Sequence, residues 1–174
     1  MAATPHDPVD DLIEFIARSH GPQGKHGDLR AKSTAYRLRQ VAHRLELEMR
    51  RELSRYGIDL WELELLAALL RAPGERLSAG QLMNEIQLTS GTVTHRVTRV
   101  QDRGWVRRDP DPADGRSVIV SLTEAGRRRA LEVFDVKTDV ERHVFAVLEP
   151  ETLDLMNDAL RRIAARLTSL NEIT

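Results

Sequence analysis

Apolar positions recur along this chain at two spacings, and the switch between them outlines its elements. Val9, Leu12, Ile13 and Ile16 fall at helical spacing behind Asp7 and Pro8, which suit an N-cap and a first helical position. SHGPQGKHG follows as a glycine- and proline-bearing linker. A long helix is predicted over about residues 28–56, with Leu38, Val41, Leu45, Met49, Leu53 and Tyr56 as its stripe and Gly57 as its stop. One short helix cannot cover so long a stripe, so a second long helix is expected against it. LWELELLAALL, capped by Asp59, is apolar nearly all round and predicts a buried helix. Ser78 and Gln81 make a capping box that opens the short helix AGQLMNEI. Thr89 or Ser90 caps another helix that reaches Arg103 and stops at Gly104.

The period then falls to two. WVRRD reads as a strand, DPDPADG as a turn, and RSVIVSL as a second strand with Val118, Val120 and Leu122 on one face. Helical spacing returns behind Thr123 and continues to about residue 148. Glu149 and Pro150 restart a last helix, whose stripe is Leu153, Met156, Leu160, Ile163, Leu167 and Leu170. This order predicts a mainly α protein with a small β-hairpin wing: a winged helix–turn–helix domain with a helical dimerisation domain from the N- and C-terminal helices. The expected division is 1–27 (first helix and linker), 28–57 (first long dimerisation helix), 58–124 (winged region) and 125–174 (C-terminal dimerisation helices). The long stripes exceed what the winged region can cover, which implies a homodimer.

Composition narrows the function. With 174 residues, 41% hydrophobic and 30% charged, the chain can bury a core. The formal net charge of −1 hides a segregation. Residues 25–51 carry eight Lys/Arg against three Asp/Glu, and residues 89–108 carry five Arg against one Asp, so a local basic face is expected. The absence of cysteine excludes disulfides, thiolate metal sites and thiol chemistry. The N-terminus lacks a secretory pattern and no apolar run is long enough to span a bilayer, so a cytoplasmic protein with no membrane partner is expected. The six histidines show no metal-ligand spacing with carboxylates, and no P-loop, nucleophile elbow or dinucleotide fingerprint occurs. The chain therefore reads as no enzyme, with no catalytic residue, metal or cofactor. Glu46/Glu48 and Glu62/Glu64, spaced two apart on helices, read as solvated edges rather than acid–base pairs.

The segment SGTVTHRVTRVQDR carries the chemistry. Wound as a helix, it turns Val93, Val97 and Val100 to the core and Gly91, His95, Thr98, Arg99 and Asp102 away, with Ser90, Thr92 and Thr94 in the first turn. Small hydroxyl residues, a glycine and the unpaired N–H groups of a helix start suit close approach to a phosphate, and the following side chains reach base edges. Arg96 lies on the border between the two sides, a candidate both for DNA and for a site beneath it.

LAALLRAPGERLSAGQLM and LTSGTVTHRVTRVQDRGWVRRDPDPADGRSVIVSLTEAG resemble the MarR family of bacterial transcription regulators, over about residues 30–170. The resemblance implies a homodimeric winged helix on a pseudo-palindromic double-stranded DNA operator, often a repressor released by a small anionic ligand. It makes residues 90–103 the recognition helix and 105–122 the wing. Ser78, Thr89, Ser90, Gly91, Thr92, Thr94, His95, Arg96 and Arg99 become candidate DNA contacts. Arg116 becomes the arginine that enters the minor groove, where a narrow groove concentrates negative potential, with Asp114 orienting it. Trp61, Glu64, Arg96 and Arg108 become candidates for an anionic effector. The first helix is similar to that of the urate-responsive branch. However, residues 8–19 hold no tryptophan and Glu64 stands where that branch has aspartate, so an anion is implied without urate being singled out. A winged helix used for protein contacts is the alternative, against which the basic segment and Arg116 weigh.

Overall fold

The computed structural model describes residues 6–19, 29–86, 89–112, 114 and 117–171. In chain order these form α1 (Pro8–Ser19), α2 (Leu29–Arg55), α3 (Leu60–Arg71), a 3-10 turn (Pro73–Glu75), β1 (Arg76–Ser78), α4 (Ala79–Glu85), α5 (Ser90–Asp102), β2 (Val106–Pro110), β3 (Val118–Leu122), α6 (Glu124–Phe145) and α7 (Pro150–Asn171). The linker expected around residues 20–27 lies outside the described residues.

Local chemistry starts and stops these helices where the sequence suggests. The Asp7 carboxylate accepts the Val9 N–H at 2.9 Å and so caps α1. Gly57 closes α2 at φ +64°, a left-handed conformation that favours glycine, and the Ile58 N–H returns to the Leu53 carbonyl. In α4 the Ser78 hydroxyl accepts the Gln81 N–H at 3.2 Å while the Gln81 side chain accepts the Ser78 N–H at 2.9 Å. The Thr123 hydroxyl accepts the Gly126 N–H and donates to the Gly104 carbonyl, so one residue caps α6 and ties it to the end of α5. Gly126 is required there by space, since a methyl group would lie 1.9 Å from the Trp105 carbonyl oxygen.

α3 is the hub. Leu63, Leu65, Leu66 and Leu69 are almost wholly buried, packed with Leu82 of α4, Val93, Val97 and Val100 of α5, Val106 and Val120 of the wing, and Ala130 and Val133 of α6. Met49 and Leu53 from the end of α2 join the same core. Among the described residues, several positions along the long helices remain open. Leu38 and Val41 of α2 are 42% and 50% exposed, and Ile163 and Leu167 of the α7 stripe are 39% and 58% exposed.

Three features differ from the sequence reading. The sheet has three strands in the order β1-β3-β2, all antiparallel, with Leu77 opposite Val120 and Arg108 also opposite Val120 on the other side. β1 escapes a pattern search because three residues after a Pro-Gly turn show no alternation. α6 ends at Phe145, before the expected residue 148. Glu62, read as a solvated edge, is completely buried. As third residue of α3 its carboxylate accepts the Asp59 N–H at 2.9 Å, a capping role that draws the side chain back over the helix start and out of water.

Candidate nucleic-acid interface

α4 and α5 form the helix–turn–helix, and the valines fix which way α5 faces. Val93, Val97 and Val100 are at most 2% exposed, which leaves Gly91, Thr92, Thr94, His95, Thr98 and Arg99 on the exposed side. Thr89 holds extended backbone at the N-cap, and its hydroxyl lies 2.9 Å from that of Thr92. Helix geometry leaves the first-turn N–H groups without acceptors inside the helix, so this end presents donors and the positive end of the dipole. A methyl group on Gly91 would meet no atom of the described residues within 4 Å.

Arg96 and Arg99 of α5, with Arg103 at its C-cap, reach back toward α3 and the end of α2. The guanidinium groups of Arg96 and Arg99 lie 5.1 and 4.9 Å from the centre of the Trp61 ring. Arg99 also comes within 3.5 Å of Asp59, which in turn accepts the Trp61 indole N–H at 3.1 Å. Arg103 donates to the Gly57 carbonyl at 2.7 Å and lies 4.8 Å over the Trp105 ring. Arg129 of α6 stacks on the same ring at 5.8 Å and donates to the Tyr56 carbonyl. Two cations thus cover the carbonyl end of α2, where the helix dipole favours positive charge.

The four residues expected around an effector do not converge. Trp61 and Arg96 stack on each other. Arg108 instead stitches β2 to α5, donating to the Thr94 carbonyl at 3.0 Å and the Thr98 hydroxyl at 2.6 Å. Glu64 is exposed and lines a separate cavity of about 340 Å³ between α3, α4 and α6, with Leu63, Ile86, Phe134 and Lys137. Its two lining cations are paired, Arg71 with Glu85 at 3.1 Å and Lys137 with Glu141 one turn along α6. Sequence reasoning passed over Lys137 and Phe134 because α6 offers no motif, only a position in space.

Of the wing, Arg107 pairs with Asp109 at 3.0 Å. The turn is closed by the Asp111 N–H on the Ser117 carbonyl and the Ser117 N–H on the Asp114 carbonyl, at 3.0 and 2.8 Å. Arg116 lies outside the described residues. Ser78 is engaged in the capping box of α4. Among the described residues no group of three or more His, Asp and Glu side chains could hold a metal ion, and no helix is long and apolar enough to cross a membrane.

Comparison with known proteins agrees with this geometry. Residues 56–117, from the end of α2 to the wing, match the model of the MarR family. The regulator PecS of Dickeya dadantii is 26% identical over 133 residues, covering 76% of this chain and 80% of PecS. AbsC, a MarR family transcriptional regulator from Streptomyces coelicolor, superposes with a TM-score of 0.72 at 26% identity, over 80% of this chain and 95% of AbsC. A second MarR family regulator from Streptomyces coelicolor, solved in complex with DNA, gives a TM-score of 0.71 at 28% identity, over 78% of this chain and 90% of its own. Residues 56–117 are thus of the MarR type, and the chain is similar in sequence and fold to winged-helix transcriptional regulators of that family.

Proposed function

We propose that this protein is a cytoplasmic repressor that binds a pseudo-palindromic operator in double-stranded DNA as a homodimer and is released by a small anionic ligand. The observation that carries the DNA reading is the sidedness of α5: the valines are buried while Gly91, Thr92, Thr94, His95 and Thr98 face solvent. These side chains, with Thr89 and Ser90 at the helix start, contact bases and phosphates in the major groove. Arg99 divides itself between Trp61, Asp59 and phosphate, Ser78 marks the start of the supporting helix, and Arg116 with Asp114 probes the minor groove. Arg108, by tying Thr94 and Thr98 to β2, lets helix and wing engage as one body.

The dimer reading rests on the uncovered stripes of α2 and α7, which a second copy would bury. In the division of labour we propose, residues 58–124 read DNA, while residues 28–57 and 125–174 dimerise. An effector would enter the cavity at Glu64. There an anion would compete with Glu141 for Lys137 and with Glu85 for Arg71, and so shift α4 and α6 against α3. Repression needs only occupancy of the operator.

The test is a salt titration with a duplex that the protein enriches from a random pool. Affinity should fall linearly with the logarithm of salt concentration, with a slope reflecting several displaced counterions. The absence of any salt-sensitive complex would sink the DNA reading.

A further inference from the structure

α5 can present one side to DNA only if its angle on the rest of the domain is fixed, and beside Trp61 and Asp59 the buried carboxylate of Glu62 also reaches its arginines. The Glu62 side chain is 0% exposed. Its Oε2 accepts the Asp59 N–H, and glutamine would fill that capping role equally well. Oε1 is what capping leaves unexplained. It accepts no hydrogen bond in the described structure, yet it faces Arg103 Nε at 3.3 Å and Arg99 Nη2 at 4.0 Å. A buried charge is costly unless paired, and the groups placed to pair this one both come from the edge of α5.

We infer that Glu62 is a positioning residue for DNA recognition, drawing Arg99 and Arg103, and with them the edge of α5, onto the corner between α2 and α3. This rests on the DNA-binding reading above. Arg103 acts as the strut, since its guanidinium also holds the Gly57 carbonyl and stacks on Trp105. Arg99 sits nearer the helix start, with its side chain 45% exposed, so the same carboxylate governs how far that cation extends toward phosphate. Loss of the charge would let α5 rock about its valine seam without unpacking the core. Specific contacts depend on angle, whereas general attraction to phosphate does not.

The test compares the parent with Glu62→Gln, Arg103→Gln and the double variant. Each is measured on the enriched duplex and on a scrambled duplex of equal length, with melting followed in parallel. Glu62→Gln should melt within a few degrees of the parent and bind the scrambled duplex equally well. It should lose about tenfold in affinity for the enriched duplex, the scale of one charge-assisted hydrogen bond. Arg103→Gln should cost less preference for the enriched duplex when added to Glu62→Gln than when made in the parent, because the two changes share one link, and full additivity overturns the inference. A purely structural Glu62 would instead lower the melting temperature and leave the ratio of the two affinities unchanged, overturning the inference. Should Glu62→Gln fail to fold, Arg103→Gln carries the test with the same tenfold expectation. A preference within twofold of the parent in the variant that folds overturns the inference alone. A parent that binds neither duplex overturns the DNA reading and this inference with it.

Discussion

Along one edge of α5, Arg96, Arg99 and Arg103 lie against Trp61, Asp59, Glu62 and the Gly57 carbonyl, while the valines beside them are sealed in the core. On the other side Gly91, Thr92 and His95 face solvent, and Gly91 has open space where a side chain would be. One helix therefore carries residues whose surroundings the chain itself supplies and residues whose surroundings it leaves open. The same contrast recurs at larger scale between the filled core around α3 and the bare stripes of α2 and α7. In the function proposed above, each open pattern matches one partner: the small polar side of α5 matches DNA, and the long aliphatic positions of α2 and α7 match a second copy.

The comparison can be broken first at its filled end. Gly126→Ala would drive a methyl group into the Trp105 carbonyl, so it should destabilise the fold by about 3 kcal/mol or more, seen as a much lower melting temperature. A melting temperature within a degree or two of the parent would mean that the junction of wing and α6 is looser than described. At the open apolar stripe, Ile163→Glu with Leu167→Glu should weaken self-association by about a hundredfold or more, because charge would be buried unpaired. Sedimentation would show monomers with the core still folded, and an unchanged dimer would place the interface elsewhere.

At the open end of α5, Gly91→Ala should leave stability equal or raise it by about 0.5–1 kcal/mol, since alanine suits a helix better. Affinity for the enriched duplex should nevertheless fall about tenfold, a loss of about 1.4 kcal/mol, as the methyl group blocks close approach. Unchanged affinity would remove Gly91 from the interface. The smallest effect concerns α1. Asp7 is held below its ordinary pKa of 3.8, chiefly by the Val9 N–H and then by Arg37, which also pairs with Asp10. A depressed carboxylate pKa gives stabilisation that is complete above the ordinary value and is lost as pH falls through the folded one. Hydrogen exchange in α1 should therefore quicken on acidification below about pH 3.8, and Arg37→Ala should flatten that response.

Most of the fold was legible because its signals are local. Asp7, Ser78, Gln81 and Thr123 cap the helices they were expected to cap, and Val93, Val97 and Val100 fall inward as the period requires. β1 was not legible, since a three-residue edge strand is made by its partner β3 rather than by its own pattern. The site was legible only on its outward side. The spacing that identifies exposed positions on α5 says nothing about where a long, flexible arginine will lie, and Arg99, Arg103 and Arg108 were settled by neighbours distant in sequence. Glu62 was misplaced for a related reason: two glutamates spaced two apart point differently, and the capping bond decided which one left the water.

The central claim is that two copies of this chain present the outward sides of their α5 helices to one duplex. Footprinting of the complex with the enriched duplex tests it directly. The account predicts two protected major-groove patches related by a dyad and centred about one helical turn, roughly 34–36 Å, apart. A single unpaired patch, or protection without major-groove contact, would contradict it.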